Sequence, residues 1–441
     1  MSAPKYPAYK DSQVKWLGAI PDHWGVLQSR RMFAVRSEPA LASDQMLTAS
    51  QKYGVLFQKD FVEMEGRRVV EVIMGMESLK HVEPDDFIIS MRSFQGGLEW
   101  SRLRGSTSFH YVMVKPLKCV HPPFFAHLFK SAQYIQALRS TTDLIRDGQE
   151  LRYSNFVLVD LPLVPDGEQA AIAIFLDRET SKIDALVEEQ KRLIELLKEK
   201  RQAVISQAVT MGLDPNVPMK DSGVEWLGKV PAHWGIVALK RLGSIRYGIG
   251  EPPKYQPDGV PLIRATNVHA GKLFDDGLVF VDPDDIPSQR IVWLAAGDII
   301  VVRSGAYTGD SAIIPEAYGR CIAGFDMVVR CSNVIPQFLQ FVLLSSYLKF
   351  FQIDLLKLRA AQPHLNAEEL GACIVVVPPE ADQADIVRFL VDQLSRIDTL
   401  IAEAEVAVGI LRERRAALIS AAVTGKIDVR GLVPQPEAVA A

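Results

Sequence analysis

The run Arg303-Ser304-Gly305-Ala306-Tyr307-Thr308-Gly309 follows directly on Ile299-Ile300-Val301-Val302, which sets a cation, a phenol and two hydroxyls on a glycine-rich loop at a strand end. Arg92-Ser93-Phe94-Gln95-Gly96-Gly97 repeats the type after Phe87-Ile88-Ile89-Ser90. Gln362-Pro363-His364-Leu365-Asn366 adds two amides and an imidazole ahead of Ile374-Val375-Val376-Val377. The chemistry open to such groups is hydrogen bonding. An arginine can donate two bonds to guanine, Gln or Asn can clamp adenine, and Gly, Ser and Thr let the backbone approach phosphates. Without further context the same stretches are also glycine-rich turns with a solvated arginine, and His364 is a turn histidine with no metal-ligand set beside it.

Bond-breaking chemistry finds less support. His121-Pro122-Pro123-Phe124 and Glu251-Pro252-Pro253-Lys254-Tyr255 approach the Pro-Pro-aromatic signature of amino-methyltransferases, but neither has the preceding Asn or Asp. The glycine-rich cofactor turn after a strand is missing, Gly248-Ile249-Gly250 being too short, and no Walker lysine motif appears. No nucleophile, base and orienter stand out as a group. The sequence therefore predicts a non-enzymatic chain.

The elements that must position these loops are legible as a duplication. Lys10-Asp11-Ser12 to Trp16-Leu17-Gly18, Pro21 and His23-Trp24-Gly25 returns as Lys220-Asp221-Ser222 to Trp226-Leu227-Gly228, Pro231 and His233-Trp234-Gly235. Phe175-Leu176, Ile183-Asp184, Ile205-Ser206 and Ala208-Val209-Thr210 recur as Phe389-Leu390, Ile397-Asp398, Ile419-Ser420 and Ala422-Val423-Thr424. Two shared frames thus bracket two unlike inserts. Tryptophans at identical frame positions are expected in the core or at a subunit contact, because residues that read different sequences do not belong to a shared frame. Each insert reads as strands first, such as Val69 to Ile73 and Phe87 to Ser90, then a late helix over Phe124 to Leu138 or Phe338 to Phe351. Each closes with an apolar strand ending in proline, at Pro165 and at Pro378-Pro379.

The segment after Pro165 opens with Asp166-Gly167-Glu168-Gln169 in the manner of a capping box. Ile183, Leu186, Gln190, Leu193, Leu197 and Val204 follow at heptad-like spacing, matched by Ile397, Leu400, Ala404, Ala407, Leu411 and Leu418. The two helices are expected to pack on each other through these positions. A helical stretch of roughly 30 residues spans about 45 Å, more than one turn of DNA at about 34–36 Å.

Length and composition fit an ordinary soluble globular chain: 441 residues, 48% hydrophobic and 23% charged, enough for two domains or more. A net charge of −4 and a pI near 6.1 argue against a broadly basic nucleic-acid surface, so any phosphate grip must be local or shared with a partner. Cys119, Cys321, Cys331 and Cys373 lack paired ligand spacing and are expected as core thiols. With no cationic, apolar leader at the start, a reducing cytoplasm is the expected compartment. No apolar run approaches the ~20 residues that span a bilayer, so no membrane role is implied.

In these frames, in Glu168-Gln169 to Asp177, and in Lys182-Ile183-Asp184 with Leu193 to Arg201, the chain resembles the specificity subunit of type I restriction–modification systems. In the second insert, Pro261-Leu262-Ile263-Arg264, Thr266-Asn267, Gly297 to Gly305 and Gln362 to Asn366 resemble that family's strand-and-loop series, and Ser50-Gln51-Lys52-Tyr53-Gly54 and Arg92 to Gly97 take comparable places in the first. The resemblance implies an α+β fold: two mixed target-recognition domains joined by two long antiparallel-packed helices, in a pseudo-twofold repeat. It implies a frame and first recognition domain over 1–165, a spacer helix over 166–213, a second frame and domain over 214–379, a second spacer over 380–428 and a tail. Each domain would read half of a bipartite double-stranded DNA site. Expected contacts are Ser50, Gln51, Lys52, Tyr53, Arg92, Ser93 and Gln95 in the first, and Arg264, Thr266, Asn267, Arg303, Ser304, Tyr307, Thr308, Gln362, His364 and Asn366 in the second. The helices would set the spacing and dock two methyltransferase subunits. S-adenosylmethionine and ATP with Mg would then sit on the methyltransferase and restriction/translocase partners, with no cofactor on this chain. Two other readings stay open: a self-sufficient DNA methyltransferase with divergent motifs, which would bind cofactor alone, and a structural coiled-coil dimeriser, which would not discriminate between duplexes.

Overall fold

A frame that recurs with the same residues must make the same contacts twice, and the computed structural model, which describes residues 4–66, 79–90, 93–141, 151–251, 253–357 and 364–432, shows that it does. Tyr9–Asp11 pairs antiparallel with Ala19–Pro21, and Met219–Asp221 pairs in the same way with Lys229–Pro231. Gly25–Gln28 pairs with Asp160–Leu163, while Gly235–Ala238 pairs with Ile374–Val377. The strand entering each insert is thus hydrogen-bonded to the strand leaving it. An insert whose two ends lie side by side can change without moving its frame.

The chain divides into two compact units, Met1–Gln190 with Val406–Ala441 and Lys191–Glu405. The unlike inserts share a sheet topology that their sequences do not reveal. In the first unit, four antiparallel strands run in the order Phe33–Arg36, Val112–Pro116, Phe87–Ile89, Glu99–Trp100; in the second the order is Gly243–Tyr247, Met327–Cys331, Ile299–Val301, Ser311–Ile313. What differs is the covering layer. The second unit adds a four-stranded sheet in which Val260–Ile263 lies parallel to Cys321–Ala323. The first carries two hairpin-like pairs, Leu47–Ser50 with Gly54–Phe57 and Lys80–Val82 with Gly105–Thr107, and a helix at Gln58–Glu65. The strand expected over Val69 to Ile73 lies outside the described residues.

Behind each central sheet sit the late helices, Pro122–Phe129 and Ala132–Arg139 in one unit and Pro336–Leu344 in the other. Edge-to-face aromatics dominate the first core: Phe33 contacts Phe87 at 5.6 Å and Phe125 at 5.2 Å, and Phe87 contacts Phe129 at 5.1 Å between centroids. The second core is mainly aliphatic, built on Ile299, Val301, Val329, Leu339 and Val342. Of the four cysteines, Cys321 and Cys373 are buried and Cys331 is half-buried. Cys119 departs from the expected core placement: it is exposed, at a turn with φ of +64°. Among the described residues no single helix is long and apolar enough to cross a membrane.

Two helices far longer than the rest, Asp166–Met211 and Glu380–Val423, start where the closing strands end. Their first turns explain the frame. Trp24 Nε1 donates to Glu168 Oε1 at 3.1 Å, His23 Nε2 lies 2.7 Å from Glu168 Oε2, and the Tyr6 hydroxyl donates to the same carboxylate. In the second copy, Trp234 Nε1 donates to Asp382 at 3.0 Å and His233 Nε2 lies 2.9 Å from it. Next in sequence, Gln169 Oε1 accepts from His121 N at 2.8 Å, and Gln383 Oε1 accepts from Ile335 N at 2.8 Å. Gln169 is thus spent on the insert, donating also to the Cys119 and Val164 carbonyls, so the expected capping box with Asp166 does not form. Both helices end in a left-handed glycine against a frame tryptophan. A Cβ on Gly212 would come within 3.1 Å of Trp234, and one on Gly425 within 2.4 Å of Pro21 and 3.1 Å of Trp24.

Within each unit the two long helices pack antiparallel. In the first, Ile183 and Val187 meet Val408, Leu411 and Leu418, with Arg415 Nε 2.8 Å from Asp184. In the second, Arg201 Nε lies 3.2 Å from Asp398, while Ile205 and Val209 share a core with Ile386 and Leu390. The late basic residues Arg201 and Arg415 therefore end in interhelical ion pairs.

The buried stripe corrects the expected register at alternate positions. Ile183, Leu197, Ile397 and Ala404 are buried as expected, and Val204, Ala407, Leu411 and Leu418 are half-buried. Leu186, Leu193 and Leu400 are instead 45%, 42% and 49% exposed; Val187 and Ile194 beside the first two are buried, Ile401 beside Leu400 is half-buried, and Val408 beside Ala407 is buried. Starting from Ile183 and Ile397, the inward steps are four then three, not three then four. In a 3.6-residue period either step stays near the seam, and aliphatic side chains at both positions, as in Leu186-Val187 and Leu193-Ile194, left the choice to packing.

Candidate nucleic-acid interface

In the first unit, Ser50-Gln51-Lys52-Tyr53 forms the turn between Leu47–Ser50 and Gly54–Phe57. Ser50 Oγ shapes that turn by accepting from the Lys52 and Tyr53 amides at 3.2 and 3.3 Å. Lys52 Nζ and the Tyr53 hydroxyl both reach Glu65 Oε1, at 2.9 and 2.8 Å, and the ammonium sits 4.5 Å from the Tyr53 ring centre. Hydrogen bonds to Tyr53 and Glu65 raise the Lys52 pKa and keep it cationic. The Gln51 side chain fills the space over Gly96, where an added Cβ would come within 2.6 Å of it. Ser50 to Tyr53 and Gln95, some 45 positions apart in sequence, line one groove of about 750 Å³ with Phe61, Phe94 and Tyr111. Two expected contacts stand apart. Arg92 lies outside the described residues, and Ser93 is fully buried, its Oγ accepting from Ser90 N at 2.8 Å, so it holds the loop and presents nothing outward.

In the second unit, Arg264, Thr266 and Ser304 line a cavity of about 170 Å³ with Tyr255, Phe325 and Asp326. Arg264 lies 5.3 Å from the Tyr255 ring centre, one end of its fork donating to the Gly277 carbonyl at 2.7 Å while Nε is buried without a hydrogen-bond partner. Arg303 is the more constrained cation. Its guanidinium stacks between Tyr247 at 4.6 Å and Phe325 at 4.2 Å, and a terminal nitrogen donates to His364 Nε2 at 3.4 Å. Its backbone is fixed as well, N donating to Asp326 at 3.1 Å and O accepting from Leu365 N at 2.8 Å. Burial pushes the Asp326 carboxyl up to about 6, against the pull of the backbone hydrogen bonds from Arg303 and Ala265 and of the Arg303 charge. Thr266 and Tyr307 are exposed, and Ser304 and His364 are half-buried partners in an isolated β-bridge.

Three expected contacts in this unit turn out to be structural. Asn267 is fully buried, accepting from Arg264 N at 3.2 Å and donating to the Phe274 carbonyl at 3.0 Å. Thr308 is buried, its hydroxyl donating to the Gly305 carbonyl at 2.7 Å. Asn366 caps the helix Ala367–Ala372 in a reciprocal box, its Oδ1 accepting from Glu369 N at 2.8 Å and Glu369 accepting from Asn366 N at 3.0 Å. Gln362 lies outside the described residues. Sequence reasoning also missed Tyr247, Tyr255 and Phe325, the aromatic faces that fix the two arginines. Only their spacing from an arginine in space marks them. Among the described residues no group of three or more His, Cys, Asp and Glu side chains is arranged to hold a metal ion.

The frame tryptophans face inward. Trp24 and Trp234 are buried, Trp16 Nε1 donates to the Asp160 carbonyl at 3.1 Å, and Trp226 stacks near Tyr347 and Phe351.

No protein-family model matches the chain. It is 22% identical over 374 residues to the type I restriction enzyme EcoKI specificity subunit of Escherichia coli K12, which covers 81% of this chain and 78% of that protein. It is 24% identical over 290 residues to the MjaVIII specificity subunit of Methanocaldococcus jannaschii, covering 63% and 64% of the two chains. In fold it matches a solved chain of a type I R-M system with a TM-score of 0.69 at 12% identity, and the HsdS subunit of Thermoanaerobacter tengcongensis with a TM-score of 0.52 at 13%; each covers 92% of this chain and 98% of the other. Along four fifths of its length the chain is thus similar in sequence to a specificity subunit of a type I restriction enzyme, and along nine tenths it shares the fold of a chain from a type I R-M system.

Proposed function

We propose that this chain is the non-catalytic DNA-reading subunit of a type I restriction–modification complex, each unit reading one half of a bipartite site. The observation that carries this reading is the pairing of entry and exit strands around each insert, Gln28 opposite Asp160 and Ala238 opposite Ile374. The frame stays constant there while the loops above it differ, as two half-sites of different sequence require. Each unit sets polar and cationic side chains on aromatic supports at one loop cluster, Lys52 on Tyr53 in one and Arg303 between Tyr247 and Phe325 in the other. Stacked cations of this kind suit base edges and phosphates without making the whole chain basic.

The long helices set the gap between half-sites and dock two methyltransferase subunits. Leu186, Leu193, Leu196, Leu400, Val406 and Ile410 are exposed apolar side chains on these helices, outside the stripe that the helices use on each other. S-adenosylmethionine belongs to the methyltransferase partners and ATP with Mg to a restriction partner. Exchange of residues 26–165 for the corresponding insert of a relative tests the modular reading. Mapped methylation in cells carrying the cognate methyltransferase should change in one half of the site only, and a change in both halves would refute it.

A further inference from the structure

We propose that His269 reads a base in the second half-site, held by Asp310 so that its Nε2 accepts a hydrogen bond from the amino group of an adenine or cytosine. This rests on the DNA-reading function above and adds a residue to it. His269 ends the strand Val268–His269, which pairs with Lys272–Leu273 through a two-residue turn, Ala270 and Gly271. Both turn residues are left-handed, with φ of +48° and +88°. Glycine takes that conformation freely; alanine does so at a cost, which the surroundings must hold in place.

The surroundings do so from two sides. Lys272 Nζ lies 2.7 Å from Asp398 on the second long helix, which also takes Arg201. On the other side, the buried carboxylate of Asp310 takes His269 Nδ1 at 2.8 Å and the Ala270 amide at 3.4 Å, and its other oxygen pairs with Lys349 Nζ. Burial works against that carboxylate, yet Lys349 and His269 together hold its pKa below the ordinary value, so it stays an acceptor.

A carboxylate that only accepts places the imidazole proton on Nδ1. In its neutral form the ring then carries its lone pair on Nε2. His269 is 57% exposed, and its ring stands 5.0 Å from that of Tyr307, the exposed tip of the Arg303 to Gly309 loop. A fixed acceptor therefore stands beside the loop assigned to base contact. In the major groove the amino donors are adenine N6 and cytosine N4, whereas guanine and thymine present acceptors there. The tip accepts the first pair of bases and repels the second.

The test is methylation mapping with the full chain in cells carrying its cognate methyltransferase. His269→Ala should relax one position of the second half-site, where the wild type requires A or C on one strand, by on the order of tenfold, with the first half-site unchanged. His269→Arg, which only donates, should move that position toward guanine. Asp310→Asn should relax the same position, because the ring loses its fixed tautomer, and a normal melting temperature for His269→Ala separates this from unfolding. Unaltered specificity in His269→Ala overturns the inference alone. So does relaxation at a position that requires G or T, or a uniform loss over all sequences with a smaller salt slope, which marks a phosphate contact. A wild-type chain that directs no sequence-specific methylation overturns the DNA-reading function itself.

Discussion

Glu168→Ala and Asp382→Ala are the same deletion made in the two copies of the frame, and the structure sets unequal costs for them. Glu168 is buried and receives Trp24, Tyr6 and His23, of which Trp24 and Tyr6 are themselves buried. Its removal strands two buried donors, each worth ~1–3 kcal/mol, and withdraws a favourable charge from the helix start worth ~0.3–1 kcal/mol. The total is ~2–7 kcal/mol. Asp382 receives only Trp234 and the exposed His233, and its own side chain is 38% exposed, so a single buried donor is stranded and the loss is ~1–4 kcal/mol. The first substitution should therefore cost more by ~1–3 kcal/mol, the worth of the second buried donor. Glu168→Gln, which keeps one acceptor oxygen, should fall between wild type and alanine. Urea denaturation gives the overall loss, and hydrogen exchange of peptides around Trp24 and Trp234 assigns it to a unit. Equal losses, or a larger loss at Asp382, would refute the claim that the frame acts by satisfying these buried donors.

Arg303→Ala should lower affinity by ~1–3 kcal/mol and relax one position of the second half-site, read by binding competition across variant duplexes, while Arg303→Lys should not restore it because an ammonium lacks the planar fork stacked between Tyr247 and Phe325. Val187→Ala should destabilise the chain by ~1–2 kcal/mol in denaturant titrations, whereas Leu186→Ala should cost under ~0.5 kcal/mol. Leu186→Asp with Leu400→Asp should leave the melting temperature in place and weaken co-purification of the methyltransferase; unchanged co-purification would remove these exposed helix residues as its dock. His81 is buried between Asp44 at 2.6 Å and Glu83 at 2.8 Å. Burial opposes its protonation, but the two carboxylates prevail and raise its pKa. The stabilisation is therefore fully present below the unfolded value of about 6.5 and is lost as pH rises through the higher folded value. His81→Gln should flatten that part of the stability–pH curve, and an unchanged slope would show that the imidazole is not protonated in the fold.

The sequence by itself determined what is local or repeated. The frames were legible because one job is done twice by one residue set: Trp24 and Trp234 bond the carboxylates Glu168 and Asp382, and Gln169 and Gln383 fasten the helix starts to their inserts. The long helices were legible because an apolar stripe with proline before it has few other solutions. Tertiary structure decided everything that depends on which partner arrives. Leu186 and Val187 are equally apolar neighbours, and only the approach of Val408 and Leu411 selects Val187 for the seam. Ser93, Asn267, Thr308 and Asn366 carry the same polar groups whether they face a base or close a turn, and they close turns because backbone amides and carbonyls lie within 3.2 Å. The common sheet order of the two inserts was hidden for the same reason. Strand pairing is non-local, so Val112–Pro116 between Phe33–Arg36 and Phe87–Ile89 matches Met327–Cys331 between Gly243–Tyr247 and Ile299–Val301 in arrangement alone, with no shared residue pattern to announce it.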